Sequence, residues 1–124
     1  MNKRETGARY EALAAAYLEK HGYRILTRNF RCRFGEIDLV AWDAQAQRQG
    51  LVFVEVKYRK NAASGFPEEA LTQQKQHTIS KVADFYMVRF RVRSGTPCRF
   101  DVLTFCGTQI RHIPNAFPYR GTAL

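Results

Sequence analysis

Gly35-Glu36-Ile37-Asp38-Leu39-Val40-Ala41-Trp42 and Leu51-Val52-Phe53-Val54-Glu55-Val56-Lys57-Tyr58 decide how this chain reads. Both are apolar runs of strand length, each interrupted by charges at alternate positions. Side chains alternate faces along a strand, so Glu36 is expected to share a face with Asp38, and Glu55 with Lys57. An apolar core has no use for three carboxylates and a lysine in such strands. Two carboxylates roughly 5 Å apart at an effective dielectric of about 20 repel by about 3 kcal/mol. A bound divalent cation together with the lysine would offset that repulsion. Asp on one strand followed by Glu-x-Lys on the next points to metal-dependent phosphodiester chemistry.

Outward from these strands the chain alternates clear elements. Asp43–Gly50 is a short polar connection, which favours an antiparallel hairpin between the two runs. Before them, Tyr23 to Phe30 reads as a first strand. A first helix is expected from about Glu5 to Lys20, with Tyr10, Leu13, Ala14, Tyr17 and Leu18 as its apolar stripe. Asn2-x-x-Glu5 is placed to cap it and Gly22 to end it. Glu11 lies beside the apolar stripe, an awkward place for an idle carboxylate. After the third strand, 61–67 reads as a loop. A second helix is expected over about Pro67 to Phe90, with a break near Thr72 and a buried stripe of Ile79, Val82, Ala83, Tyr86, Met87 and Phe90. Gly95-Thr96-Pro97 stops it; Arg99–Phe105 and Gln109–Ile113 are two further strands. The order is α-β-β-β-α-β-β, and a long helical crossover lets strands three and four pair in parallel. The expected fold is α/β, a mixed sheet flanked by helices.

Composition narrows the function classes. The 124 residues suit one domain, and 45% hydrophobic residues are enough for a core. No apolar run has the length of a membrane span, and the N-terminus carries no signal-peptide pattern, so no membrane partner is expected. Cys32, Cys98 and Cys106 are odd in number and lack Cys-x-x-Cys spacing, which argues against a zinc site or disulfide framework and for a reducing, cytoplasmic setting. The net charge is +9. Residues 1–35 hold eight Lys/Arg against three Asp/Glu, whereas 36–60 hold four of each. An acidic centre thus sits in a basic surround, an arrangement that draws in a phosphate polymer while holding a cation against it.

Glu11, Glu36-Ile-Asp38 and Glu55-Val-Lys57, together with the element order, resemble the restriction-endonuclease-like nuclease superfamily. Within it the chain resembles the bacterial YraN family of uncharacterised proteins. The matching segments are Gly7…Glu11…Tyr17-Leu18, Gly22-Tyr23…Arg28-Asn29, Gly35–Leu39, Val52–Lys57 with Arg59, Lys75-Gln76, Arg99–Val102 and Asn115–Phe117. More distantly, the acidic arrangement is similar to archaeal Holliday junction resolvases. Ile37 stands where the superfamily often has proline. The resemblance implies a single restriction-endonuclease-like domain over 1–124 and an endonuclease dependent on Mg²⁺ or Mn²⁺ that hydrolyses phosphodiester bonds in DNA, branched or structured DNA included. A homodimer is an open possibility. The alternatives are a nucleic-acid-binding module that does not cleave and an accessory protein of a DNA-processing machine.

Residue by residue, the resemblance implies that Asp38 and Glu55 hold the metal, with the Val56 carbonyl and waters completing its shell. Lys57 would orient the attacking water or stabilise charge on the phosphate. Glu11 would be an outer ligand or fix a second ion. Glu36 either completes the metal shell or pairs with a neighbouring arginine such as Arg33. Arg33, Arg59, Lys60, Lys75 and Gln76 would contact nucleic acid. Taken singly, each has a plainer role: Glu55 and Lys57 as a solvent-facing ion pair, Glu11 as a helix-edge salt bridge, Arg59 and Lys60 as a solvated strand end. Asp101 could simply fix the last strand.

Overall fold

The computed structural model describes residues 2–45, 47–59 and 71–121. Lys60, the expected loop over 61–67 and the expected first turn of the second helix fall outside them. Seven elements follow one another: α1 (Lys3–Lys20), β1 (Tyr23–Cys32), β2 (Gly35–Asp43), β3 (Gly50–Arg59), α2 (Gln73–Arg89), β4 (Cys98–Cys106) and β5 (Gln109–Phe117). This is the expected α/β order.

Each helix starts where a side chain can satisfy its orphan amides. Asn2 Oδ1 accepts from the Glu5 amide at 2.8 Å, and Asn2 Nδ2 reaches Glu5 Oε1 at 3.3 Å, closing a reciprocal cap. Thr72 does the same for α2 through the Lys75 amide at 3.1 Å, so the expected break near Thr72 is the helix start itself.

The strands form one sheet in the order β1-β2-β3-β4-β5. Only β3 and β4 pair in parallel; β1–β2, β2–β3 and β4–β5 are antiparallel. Such a parallel pair needs a long connection, and α2 lies within it. Gly50 is required where β3 begins beside the chain leading into β4, because a Cβ there would stand 2.8 Å from the Pro97 carbonyl oxygen.

One core layer lies on each face. Ala14, Ala15 and Leu18 of α1 pack against Leu39, Ala41, Val52, Val54, Leu103 and Phe105. Ile79, Val82, Ala83 and Tyr86 of α2 pack against Ile37, Val40, Phe53 and Phe100. Burying a side chain such as Leu18 in full contributes about 2 kcal/mol. The expected stripe of α1 shifts in one respect: Leu13 is exposed and Ala15 buried. The helix seats on the sheet through its small alanines, which turns Leu13 off the contact. β5 runs four residues past its expected end because Phe117 pairs with Phe100, their rings stacked at 4.9 Å.

Candidate functional site

Pairing between β2 and β3 ends at Leu39 and Val54. Toward the start of β2, strict alternation also breaks: Ile37 joins the α2 layer, whereas Leu39 joins the α1 layer. Residues two apart should share a face, so the backbone turns at Asp38. The strands part there, and the Asp38 carboxylate enters the gap. Its Oδ2 accepts the Val56 amide at 2.7 Å, taking the place of a ladder hydrogen bond.

Two more acids meet it. Glu11 from α1 and Glu55 from β3 both lie near enough to Asp38 for its charge to act on them. The Glu55 carboxyl, on the α2 side of the sheet, is almost wholly buried. Burial and then the Asp38 charge push Glu55 up to about 8, with Lys75 and Lys57 opposing the rise. Glu11 is pushed up to about 7 by burial first, then by Asp38 and Glu36. Glu55 Oε2 stands 3.4 Å from Lys75 Nζ and 4.0 Å from Lys57 Nζ. Burial and the neighbouring Asp38 charge thus make both Glu11 and Glu55 weaker acids than an ordinary glutamate. This donor set consists of hard oxygens, which suits Mg²⁺ or Mn²⁺ and not a thiolate-seeking metal. Among the described residues no group of three or more His, Cys, Asp or Glu side chains is placed to hold a metal ion. Magnesium does not require such a group, since it is commonly held by one or two carboxylates plus water and substrate phosphate.

The remaining expected residues divide. Glu36 pairs with an arginine, but with Arg31 at 2.9 Å and not with Arg33. Arg31 and Glu36 are cross-strand partners, whereas Arg33 sits in the turn with its guanidinium 4.9 Å from the Phe34 ring centroid. Glu36 is half exposed and reaches the acids only through its charge on Glu11. Lys75 lies at the site, engaged with Glu55. Gln76 is committed inward: its amide nitrogen donates to the Leu71 carbonyl at 3.1 Å and its Oε1 accepts from Arg120 Nε. Arg59 is exposed at the end of β3. Lys60 lies outside the described residues.

A second charged cluster escaped the sequence. Arg99 bridges two buried carboxylates, meeting Asp43 Oδ2 at 2.9 Å and Asp101 Oδ1 at 2.9 Å. Its other nitrogen donates to the Tyr23 hydroxyl at 2.7 Å. His112 and the Asn115 amide close on Asp101 at 2.7 and 2.9 Å. The cluster joins the start of β1, the end of β2, the start of β4 and β5, so Asp101 does fix the last strand. The signal was Arg99-x-Asp101, two charges on one face of an otherwise apolar strand.

The description "Uncharacterised protein family UPF0102" matches residues 10–105, from α1 to the end of β4. A protein of Lachnoclostridium phytofermentans, itself described as a UPF0102 protein, is 51% identical over 98% of this chain and 100% of its own length. One from Geobacter metallireducens is 47% identical over 94% and 95%, and one from Saccharophagus degradans 41% over 91% and 92%. The chain belongs to the UPF0102 family. The matched UPF0102 region contains the acids about Asp38 and, of the second cluster, Tyr23, Asp43, Arg99 and Asp101, whereas His112 and Asn115 lie beyond it. No helix in the described part of this UPF0102 chain is long and apolar enough to cross a membrane.

Proposed function

We propose that this UPF0102 protein is a divalent-metal-dependent endonuclease of restriction-endonuclease-like type, acting on DNA in the cytoplasm. One observation carries the reading: Asp38 stands between Glu11 and Glu55 at the parting of β2 and β3, with Lys57 and Lys75 beside Glu55. Buried acids that cost stability when idle are explained if a cation takes their protons' place. Bound Mg²⁺ or Mn²⁺ would polarise the scissile phosphate and acidify a coordinated water. Asp38 and Glu55 would hold the ion, and Glu11 would lie outside them. The Lys57 ammonium would orient the attacking water or meet charge developing on the phosphate. Lys75 and Arg59 would hold neighbouring phosphates.

Cleavage of a labelled panel (single strand, duplex, flap, four-way junction and RNA) with Mg²⁺ or Mn²⁺ tests the proposal. Metal-dependent cutting of a DNA substrate is the expected result. That no group of three or more His, Cys, Asp or Glu side chains among the described residues is placed to hold a metal ion favours a second reading, a nucleic-acid-binding module that does not cleave. That reading expects salt-sensitive binding and no cutting in either metal.

A further inference from the structure

Most aromatic rings in this protein belong to the two core layers. Phe34 does not. It forms the turn between β1 and β2 together with Arg33, since Cys32 pairs with Gly35. Two-residue hairpin turns draw on Gly, Asn and Asp for their backbone freedom. An arginine and a phenylalanine at the tip bring nothing to the turn, and residues that break a local rule of this kind concentrate at working surfaces.

The Phe34 ring is both exposed and held. Phe34 keeps 39% of its surface open. The Arg33 guanidinium carbon lies 4.9 Å from its centroid and the Lys81 ammonium 5.4 Å. Phe85 of α2 stands against it edge to face, with centroids 6.3 Å apart. The base of the turn is pressed on α2: Gly35 has φ +149°, and a Cβ there would approach the Thr78 methyl to 3.1 Å. An open groove of about 450 Å³ runs from Phe34 along Lys81, Asp84, Phe85 and Val88. Asp84, an acid of this lining, accepts a hydrogen bond from the Tyr119 hydroxyl at 2.7 Å.

We infer that the Arg33-Phe34 turn, with Lys81, is a stacking site for an unpaired base of single-stranded nucleic acid. An aromatic ring takes any base, and the two cations that lie over Phe34 can stack with the base, in the case of Arg33, or take the phosphates beside it. A base in duplex has both faces covered already, so the site selects for unpaired strand. A second copy of the chain fits the groove poorly, because a two-fold contact sets the same patch against itself and brings Arg33 and Lys81 toward their own copies. Phe34, in the turn, precedes Asp38 by four residues, so their backbones are at most about 14 Å apart. The inference rests on the proposed nuclease reading and narrows its substrate to DNA with a single-stranded segment beside the cleaved phosphate.

Anisotropy titrations of labelled oligothymidine and of a duplex of equal length, in EDTA so that nothing is cut, test this with wild type, Phe34→Leu and Phe34→Trp. Wild type is expected to prefer the single strand. Phe34→Leu should weaken single-strand binding by about tenfold and change duplex binding less than twofold, while Phe34→Trp restores or tightens it. Equal loss on both ligands, or no loss, overturns the stacking site and leaves the cleavage reading standing. No binding to either ligand at low salt overturns both. Phe34-dependent self-association, or Phe34-dependent binding of an acidic peptide in place of oligothymidine, assigns the groove to protein and overturns the inference.

Discussion

Asp38 Oδ2 accepts the Val56 amide at 2.7 Å, so a side chain completes the backbone of the neighbouring strand where the ladder has ended. The residue proposed to hold the metal is therefore also part of the sheet. These two roles separate by substitution. Asp38→Asn keeps an oxygen that can accept from Val56 and removes the charge; Asp38→Ala removes both. Asp38→Ala should lose about 1–3 kcal/mol through the unpaired amide, and Asp38→Asn markedly less, in urea denaturation. Both should lose cleavage. Equal stability loss in the two variants would remove the Val56 bond as the cause.

Proton linkage at the acidic cluster has a definite sign. Glu11 and Glu55 hold folded pKa values of about 7 and about 8 against an ordinary 4.5. Between about pH 4.5 and 8 the folded state binds more protons than the unfolded chain, so metal-free stability falls as pH rises through that window. Glu55, the more buried acid, should supply most of the slope, and Glu55→Gln should flatten it in melts with EDTA between pH 5 and 8.5. On the proposed metal reading Mg²⁺ would displace those protons, so its affinity should rise over the same range with proton release. Calorimetry in two buffers of different ionisation enthalpy reads that release; affinity independent of pH would contradict it.

The Arg99 cluster works in the opposite direction. Burial alone would raise Asp101, but hydrogen bonds from His112, Arg99 and the Asn115 amide outweigh it and hold its carboxyl below the ordinary range. Asp43 is likewise lowered against its burial, by the Gln45 amide and Arg99. Such groups contribute stability that is present above the unfolded value of 3.8 and lost as pH falls through the lowered folded values. Arg99→Ala removes the cation shared by two buried carboxylates, leaving Asp43 to Arg48 and the Gln45 amide and Asp101 to His112 and the Asn115 amide, and should cost about 3 kcal/mol. Arg99→Lys should recover little, since an ammonium cannot span both partners. Denaturant melts at pH 7 and below pH 4 check both statements.

Much of this was legible in the sequence because it depends on local pattern. Element order, the 43–50 hairpin, the parallel β3–β4 pair and the cap at Asn2 all follow from periodicity and short-range chemistry. The meeting of Glu11, Asp38 and Glu55 was legible too, as charges that an apolar strand or helix edge had no reason to keep. What was not legible depends on register. That Glu36 answers to Arg31 and not Arg33 follows from which residues stand opposite across β1 and β2. The turn of the backbone at Asp38, the inward commitment of Gln76 and the reach of Arg99 to Asp43 each join segments whose relative placement exists only once the sheet forms.

Both sheet edges are blunted, which bears on oligomeric state. β1 carries a register shift between Ile25 and Thr27 and a left-handed Asn29, φ 55°. β5 carries Pro114 and a left-handed Asn115, φ 52°. Edges interrupted in this way resist strand-to-strand addition. Light scattering without DNA should return the mass of one chain, 14.3 kDa. Pairing on a four-way junction, if the substrate is two-fold symmetric, should appear only with the junction present; a free dimer would contradict the edge argument.

Asp38 and its neighbours are proposed to support metal-dependent cleavage. The most direct measurement is the rate of cutting of the best substrate from the panel, in Mg²⁺ and in EDTA, by wild type, Asp38→Asn and Lys57→Ala proteins whose melts match. Cutting by wild type in Mg²⁺, abolished by EDTA and reduced at least a hundredfold in both variants, is the predicted result. Wild-type rates from Asp38→Asn, or no cutting of any substrate in either metal while binding persists, would contradict it.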